Sequence, residues 1–72
     1  MNIPEMIPVE SSNVDSVGYD GVNLFVRFKP NSLYVYFDVP SFIYEELMVA
    51  ESKGSFLHQY VKKSYRYEKL VG

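Results

Sequence analysis

Alternating apolar and polar residues predict β-strands in the first half of the chain. The stretch NLFVRFK, residues 23–29, has the period of two that is typical of a half-buried antiparallel strand, with Leu24, Val26 and Phe28 on one face. The preceding stretch NVDSVGYD predicts another strand, with Val14 and Val17 as its apolar positions. The chain therefore begins its folded part with a pair of strands.

Turn-forming residues separate these strands. Asp20 and Gly21 form the Asp-Gly pair that is typical of a tight β-hairpin. The stretch KPNS turns the chain again, because proline presets φ and asparagine tolerates the left-handed region. Gly18, inside the first strand, predicts a bulge or a close approach of another backbone.

Residues 33–39 predict a third strand that is apolar on both sides, apart from its tyrosine hydroxyls and Asp38. Sequence order places this strand at the edge of a three-stranded meander. Natural edge strands are usually protected by charge, proline or a bulge, and this strand has only Asp38 for that purpose. We therefore expect a permuted strand order or a covering element, or else an exposed edge that another chain can pair with.

The period becomes helical after Pro40. Ile43, Leu47 and Ala50 form one stripe, and glutamates occupy the opposite face. The stretch SKGS is expected to end this helix, with Gly54 as its left-handed C-terminal residue. Ser55 is then expected to cap a second helix with the sequence SFLHQYVKKSYRYE.

The predicted fold class is α+β, a three-stranded antiparallel meander followed by two helices packed on one face. Residues 1–8 contain two prolines and predict an extended or frayed lead-in, and residues 9–72 form a single domain. The predicted core consists of Val17, Leu24, Val26, Phe28, Tyr34, Tyr36, Leu47, Ala50, Phe56 and Tyr60.

Length and composition limit the classes of function. A chain of 72 residues buries only about 60% of its unfolded surface, so the 17% of aromatic residues are expected to supply much of the core. There is no cysteine and His58 is the one histidine, so we expect neither a metal site nor a cofactor. We expect a cytoplasmic protein with no membrane partner, because neither a secretory signal nor a membrane-spanning run is recognisable.

Catalytic chemistry has little support in the sequence, and we expect a protein that is not an enzyme. His58 has no recognisable orienting partner, as a nucleophilic triad would need. Ser11 and Ser12 near Asp15 are typical of a turn or a cap. No catalytic residue is therefore predicted.

Charge is distributed unevenly along the chain. Residues 1–52 carry two basic and eight acidic side chains, whereas residues 53–72 carry five basic and one acidic side chain. This asymmetry and the aromatic stretch KKSYRYEK predict an RNA-binding surface, with lysines and arginine on phosphates and tyrosines stacking on bases. The candidate residues are Lys53, Lys62, Lys63, Tyr65, Arg66, Tyr67 and Lys69. The alternative is that these cations form a solvent-exposed helix face that keeps the domain soluble, and that Tyr65 or Tyr67 docks on the sheet. The net charge of −2 also opposes tight RNA binding.

Five ordered stretches resemble the KTSC domain, which is named for its place at the C-terminus of some lysyl-tRNA synthetases. The stretches are VESSNVDSVGYD, LFVRF, YVYFDVP, AESKGSF and YRY, between about Val9 and Tyr67. The most distinctive residues are Ser11, Ser12, Gly18, Tyr19, Asp20, Tyr34, Tyr36, Val39, Pro40, Ser52 and Gly54. The resemblance implies a candidate RNA-binding module, and the family's link to a tRNA enzyme makes tRNA the candidate RNA partner. It also implies that Tyr34 and Tyr36 face the helices and that Val35 points outward.

A protein-interaction module is the competing hypothesis. With one sheet face covered by helices, the other face would expose Phe25, Val35 and Phe37 together with the stem of Arg27. The partner would be a second copy of the chain or a different protein that adds a strand. On this hypothesis Val35→Lys leaves the fold intact and abolishes association. The residues alone leave RNA binding and protein binding open.

Overall fold

The computed structural model describes residues 2–72, which form one antiparallel sheet with two helices. The elements are β1 (Ile7–Pro8), β2 (Val14–Tyr19), β3 (Leu24–Phe28), β4 (Ser32–Tyr36), α1 (Ser41–Val49), α2 (Lys53–Tyr60) and β5 (Tyr67–Val71). The strand order is β1-β2-β3-β4-β5, and both helices lie between β4 and β5 in the chain. The α+β class is confirmed. The predicted number of three strands is wrong, because the sheet has five.

The largest correction concerns the end of the chain, where a strand replaces the end of the predicted second helix. Helix α2 ends at Tyr60, and the backbone N–H groups of Val61 and Lys62 both donate to the carbonyl of Leu57. The chain then returns as β5, which pairs antiparallel with β4. The doubly apolar strand β4 is therefore internal to the sheet, and the expectation that it forms an exposed edge is wrong.

The first hairpin turn forms as the Asp-Gly pair predicts. Gly21 has a φ of 96°, in the region that glycine adopts without strain. The Asp20 carboxylate accepts backbone N–H bonds from Val22 at 2.9 Å and Asn23 at 2.6 Å. These bonds hold the pKa of Asp20 below its ordinary value, because they stabilise the ionised carboxylate. This carboxylate therefore serves the turn.

The main core lies between the sheet and the helices. It consists of Val14, Val17, Leu24, Val26, Tyr36, Val39, Leu47, Leu57 and Val61, with Phe28, Tyr34, Phe56 and other half-buried side chains packed against it. The prediction that Tyr34 and Tyr36 belong to the helix-covered side is confirmed. Ala50 is half-buried, and the prediction that Tyr60 is a core residue is wrong because its side chain is exposed.

The junction between the helices differs from the predicted one. Helix α2 begins at Lys53, and the hydroxyl of Ser52 accepts the N–H of Ser55 at 3.2 Å. Gly54 therefore lies in the first turn of α2 and does not end α1. The capping role predicted for Ser55 belongs to Ser52. The Lys53 ammonium group donates to the carbonyls of Met48 and Ala50 at the C-terminal end of α1, where the helix dipole favours a cation.

The second face of the sheet is covered as well. Phe25, Leu33 and Val35 are each 0% exposed, although they lie outside the core cluster on the helix side. Arg27 and Phe37 are half-buried. The predicted exposure of Phe25 and Val35 is therefore wrong, and both faces of β4 are buried.

Residues 4–6 cover part of the second face of the sheet. A Cβ atom on Gly18 would lie 2.8 Å from the sulfur of Met6 and 2.9 Å from the backbone carbonyl oxygen of Glu5. The close approach predicted at Gly18 is confirmed, and the approaching segment is the lead-in itself. Since β1 also pairs with β2, this segment packs on the sheet and is not frayed; Met1 lies outside the described residues.

Burial of Val35 predicts that Val35→Lys destabilises the fold, contrary to the expectation from sequence. A lysine there would bury an unpaired charge, and we expect a loss of about 3 kcal/mol or more in the free energy of unfolding. Val22→Lys is the matched control, because Val22 is 53% exposed in the first hairpin. Urea denaturation of both variants measures the difference, and equal stabilities would contradict the second buried face.

The Gly18 contact predicts that Gly18→Ala displaces the lead-in. Because the carbonyl of Glu5 is backbone, the segment must move, and we expect a loss of about 1 to 3 kcal/mol. Gly54→Ala is the control, since its nearest neighbour would be the Asn13 amide at 3.6 Å and alanine favours a helix. We expect Gly54→Ala to be neutral or slightly stabilising. A Gly18→Ala protein with unchanged stability and an unchanged Met6 methyl resonance would refute the contact.

Candidate nucleic-acid interface

Three tyrosines come together where β4 and β5 pair. Tyr36 is the cross-strand partner of Tyr67, and Tyr34 is the partner of Lys69, so all four side chains lie on the face that the helices cover. The ring centroid of Tyr67 is 5.9 Å from that of Tyr34 and 5.9 Å from that of Tyr36. The Tyr34 and Tyr36 rings are 6.4 Å apart and nearly parallel. The pairing of two strands thus builds an aromatic cluster.

This cluster lines a cleft of about 360 Å³, which we call the tyrosine cleft. Its lining residues are Phe28, Ser32, Tyr34, Tyr36, Lys62 and Tyr67. The Phe28 ring meets Tyr34 edge-on at 5.5 Å. Tyr36 is buried, whereas Tyr67 is 58% exposed, so the cleft has a fixed aromatic base and one accessible ring.

Two ammonium groups lie over the aromatic side chains. The Lys62 nitrogen is 5.1 Å from the Phe28 ring centroid, and the Lys69 nitrogen is 6.0 Å from that of Tyr34. These distances are typical of cation–π contacts. Within residues 2–72, Arg66 forms a salt bridge with Asp38, whereas neither Lys62 nor Lys69 pairs with a carboxylate. The cleft therefore combines aromatic surface with positive charge that no carboxylate neutralises.

Burial changes the acidity of one tyrosine in the cleft. Desolvation raises the pKa of Tyr36 to about 12, and the neighbouring Tyr34 and Tyr67 hydroxyls add to the increase. The Tyr36 hydroxyl therefore stays protonated to a higher pH than an ordinary tyrosine hydroxyl does.

The structure divides the residues predicted to bind RNA into three groups. Lys62 and Tyr67 line the tyrosine cleft, and Lys69 lies over it. Lys63 and Arg66 line a neighbouring shallow cleft that includes Phe37, and the Arg66 guanidinium lies 5.1 Å from the Phe37 ring.

The third group has structural contacts. Lys53 is bonded to two carbonyls of the α1 end, as described above. Tyr65 is half-buried and packs against the main core. This agrees with the alternative hypothesis that one of the C-terminal tyrosines docks on the folded domain. We therefore leave Lys53 and Tyr65 out of the candidate interface.

Sequence reasoning missed four of the six residues that line the tyrosine cleft, namely Phe28, Ser32, Tyr34 and Tyr36. Phe28, Tyr34 and Tyr36 were assigned to the core, and their second role depends on β5, which was not predicted. The stretch YEKLV gives no clear strand signal, because Tyr67, Lys69 and Val71 would share one face and Glu68 and Leu70 the other, and each face then mixes apolar and charged residues.

A polar cleft of about 720 Å³ adjoins the tyrosine cleft through Lys62. Its other lining residues are Ser11, Ser12, Asn13, Ser52, Gly54, Ser55, His58 and Gln59. The Ser11 hydroxyl accepts backbone N–H bonds from Asn13 and Val14, which confirms the predicted turn. Across residues 2–72, no group of three or more histidine, cysteine or acidic side chains is placed to hold a metal ion.

The remaining distinctive residues of the sequence stabilise the fold. The Tyr19 ring stacks on Tyr44 at 5.0 Å, and its hydroxyl donates to the carbonyl of Val39. With the Gly18 contact and the Asp20 turn, every residue of the stretch GYD has a structural role.

No helix within residues 2–72 has the length and apolar character needed to cross a membrane.

Comparison with known proteins identifies the family. Residues 10–65 match the family model of the KTSC domain. The chain belongs to the KTSC domain family. A crystal structure of a KTSC domain protein from Yersinia pestis has a TM-score of 0.88 and 32% identity to this KTSC domain, and the match covers 92% of this chain and 96% of that one. The family resemblance seen in the sequence is thus confirmed.

The sequence relatives of this KTSC domain include a small protein of similar length and much longer ligases. A protein from Tsukamurella paurometabola is 40% identical over 63 residues, which cover 85% of this chain and 94% of that protein. Lysine–tRNA ligases from Trichormus variabilis and a Nostoc species are each 34% identical over 67 residues. This match covers 90% of the KTSC domain but only 12% of each ligase.

The raised pKa of Tyr36 predicts a loss of stability at alkaline pH. The unfolded chain releases this proton near pH 10 and the folded chain near pH 12, so the contribution is intact below about pH 10 and is lost as the pH rises toward 12. The stability advantage of the unsubstituted protein over Tyr36→Phe should therefore shrink across this range.

Two measurements check this prediction. Urea denaturation at several alkaline pH values compares the two proteins, and the ultraviolet absorbance of tyrosinate follows ionisation directly. Tyr60→Phe is the control, because Tyr60 is an exposed tyrosine on α2 and its loss should leave the step near pH 12 in place. A step near pH 12 that survives in Tyr36→Phe would assign the raised pKa to another residue.

Proposed function

We propose that the domain binds RNA that contains unpaired nucleotides, with tRNA as the favoured class. In this proposal a base stacks on Tyr67 in the tyrosine cleft, and Lys62 and Lys69 contact the flanking phosphates. The observation that carries the proposal is an exposed tyrosine ring beside two ammonium groups that no carboxylate neutralises.

Stacking is the first supporting argument. Proteins that bind single-stranded RNA place unstacked bases against aromatic side chains, and each such contact contributes about 1 to 3 kcal/mol. The cleft volume of about 360 Å³ lies at the lower end of the range for small-molecule sites, which suits a single base. Tyr34 and Tyr36 hold the Tyr67 ring from one side, so its accessible surface needs little ordering on binding.

Charge is the second supporting argument, and it also limits the affinity. Two lysine–phosphate contacts to a single strand should contribute a slope of about −1.4 to the dependence of log K on log salt. The net charge of −2 repels RNA at longer range, so we expect modest binding that is strongest at low salt. The names of two relatives, lysine–tRNA ligases, favour tRNA over other RNA classes.

The competing hypothesis placed a protein interface on the second face of the sheet. Phe25 and Val35 are completely buried, so only Arg27 and Phe37 contribute accessible area to that surface. Phe37 is half-buried and lies beside Arg66 on the cationic side of the molecule. The exposed Tyr67 ring and the lysines of the tyrosine cleft therefore support RNA binding better than the second face of the sheet supports protein binding.

The proposal predicts which variants lose affinity for RNA. Fluorescence anisotropy with labelled tRNA and an unstructured oligonucleotide, between about 50 mM and about 200 mM salt, gives the affinity and its salt slope. We expect Tyr67→Ala to weaken binding by about 5-fold to about 100-fold, whereas Tyr67→Phe keeps the stacking ring and most of the affinity. Lys62→Gln and Lys69→Gln should each reduce the magnitude of the slope by about 0.7.

Lys63→Gln is the matched control for charge. Lys63 is exposed and lies outside the tyrosine cleft, so its loss should change affinity less than the loss of Lys62. Equal losses in all three lysine variants, with no effect of Tyr67→Ala, would show diffuse electrostatic binding away from the cleft. An unmodified protein that binds neither RNA at low salt would refute the proposal.

A further inference from the structure

The helical side of the molecule exposes an apolar groove at α1 and α2. Phe42 is 56% exposed, Val49 is 81% exposed and Tyr60 is 52% exposed. Together with the half-buried Phe56 and Ala50, these residues line a groove of about 510 Å³ at α1 and α2. Exposed large apolar side chains that cluster in this way are typical of interaction sites.

Helical geometry explains why these residues form one surface. Phe42 and Val49 are seven residues apart, so they lie two turns apart on the same stripe of α1. Leu47, by contrast, is the buried residue through which α1 packs on the main core. On α2, Phe56 and Tyr60 are four residues apart and their ring centroids are 4.9 Å apart. The exposed stripe of α1 therefore has no role in holding that helix to the sheet.

The charged residue that lines the groove is acidic. Glu46 lies between Phe42 and Val49 on the same stripe and lines the groove. Glu45 and Glu51 are exposed nearby in sequence, and α1 contains no basic residue. The closest following cation, Lys53, has its ammonium group bonded to the carbonyls at the end of α1. An apolar surface with negative charge on its rim selects an apolar partner that carries positive charge.

We propose that this groove docks a basic amphipathic helix from another protein. Its apolar side chains, spaced at i, i+3 or i+4, and i+7, would contact Phe42, Val49 and Tyr60, and its lysine or arginine side chains would face Glu46. A second copy of this chain fits less well, because a two-fold contact would bring the Glu46 side chains of both copies together. The groove shares no lining residue with the tyrosine cleft, so this site is separate from the proposed RNA site.

A designed peptide tests the proposal with the intact chain. The probe is a synthetic helical peptide of about four turns, with leucine at i, i+3, i+4 and i+7 and lysine elsewhere. Two control peptides are a scrambled sequence of the same composition and a version with glutamate in place of lysine. Titration followed by amide chemical shifts reports both the affinity and the location of binding, and light scattering of the protein alone reports its mass.

We expect the lysine peptide to shift amides of α1 and α2 and to bind at least about tenfold more tightly than either control peptide. Val49→Lys and, as a second variant, Glu46→Lys should each weaken binding of the lysine peptide by about tenfold. Val22→Lys is the matched control, because it places the same new charge on an exposed valine outside the groove and should leave binding unchanged. Equal binding of the glutamate or scrambled peptide, shifts confined to the tyrosine cleft, or no binding would overturn the proposal. So would a dimer that Val49→Lys dissociates, because the occupant would then be a second copy.

Discussion

The pairing of β5 with β4 is the interaction on which the rest of this structure depends. It covers the backbone edge of a strand whose two faces are both apolar, and it places Tyr67 directly beside Tyr36 on the helix side of the sheet. Without β5, β4 would present unpaired N–H and C=O groups in a row, an arrangement that promotes aggregation. With it, the new edge strand has the sequence YEKLV, which carries a glutamate and a lysine. One strand pairing thus closes the fold and assembles the candidate site.

A sheet that is covered on both sides suits a chain of 72 residues, whose surface is large relative to its volume. The helices cover one face and residues 4–6 lie against the other at Gly18. Because that position has no side chain, the backbone of Glu5 can approach the strand closely. Large rings add to the buried area, as the stacked pair of Tyr19 and Tyr44 shows. The small domain therefore buries, at least in part, every apolar residue of β2, β3 and β4.

The surface that remains is divided by charge. Basic residues of the C-terminal segment lie over aromatic rings around the tyrosine cleft, whereas α1 presents glutamates beside an exposed apolar stripe. The charge asymmetry read from the sequence thus corresponds to two separate surfaces with opposite preferences. An anionic ligand such as RNA suits the first, and a cationic helix suits the second. The tyrosine cleft and the groove at α1 and α2 share no lining residue, so the two proposed sites can be tested separately.

The sequence by itself determined strands β2, β3 and β4, the presence of two helices and the α+β class, because period and turn chemistry are local properties. Its ordered motifs indicated the family. The family resemblance implied that Tyr34 and Tyr36 face the helices, and a glycine inside a strand predicted a bulge or a close approach at Gly18. The sequence did not determine the structure of residues 61–71, where a turn follows α2 and β5 then pairs with the free edge of β4, because that pairing depends on a distant segment. The same tertiary contacts buried Val35, exposed Tyr60 and brought Lys62 and Lys69 to one cleft. Such outcomes depend on which distant segments meet, and no local pattern in the chain contains that information.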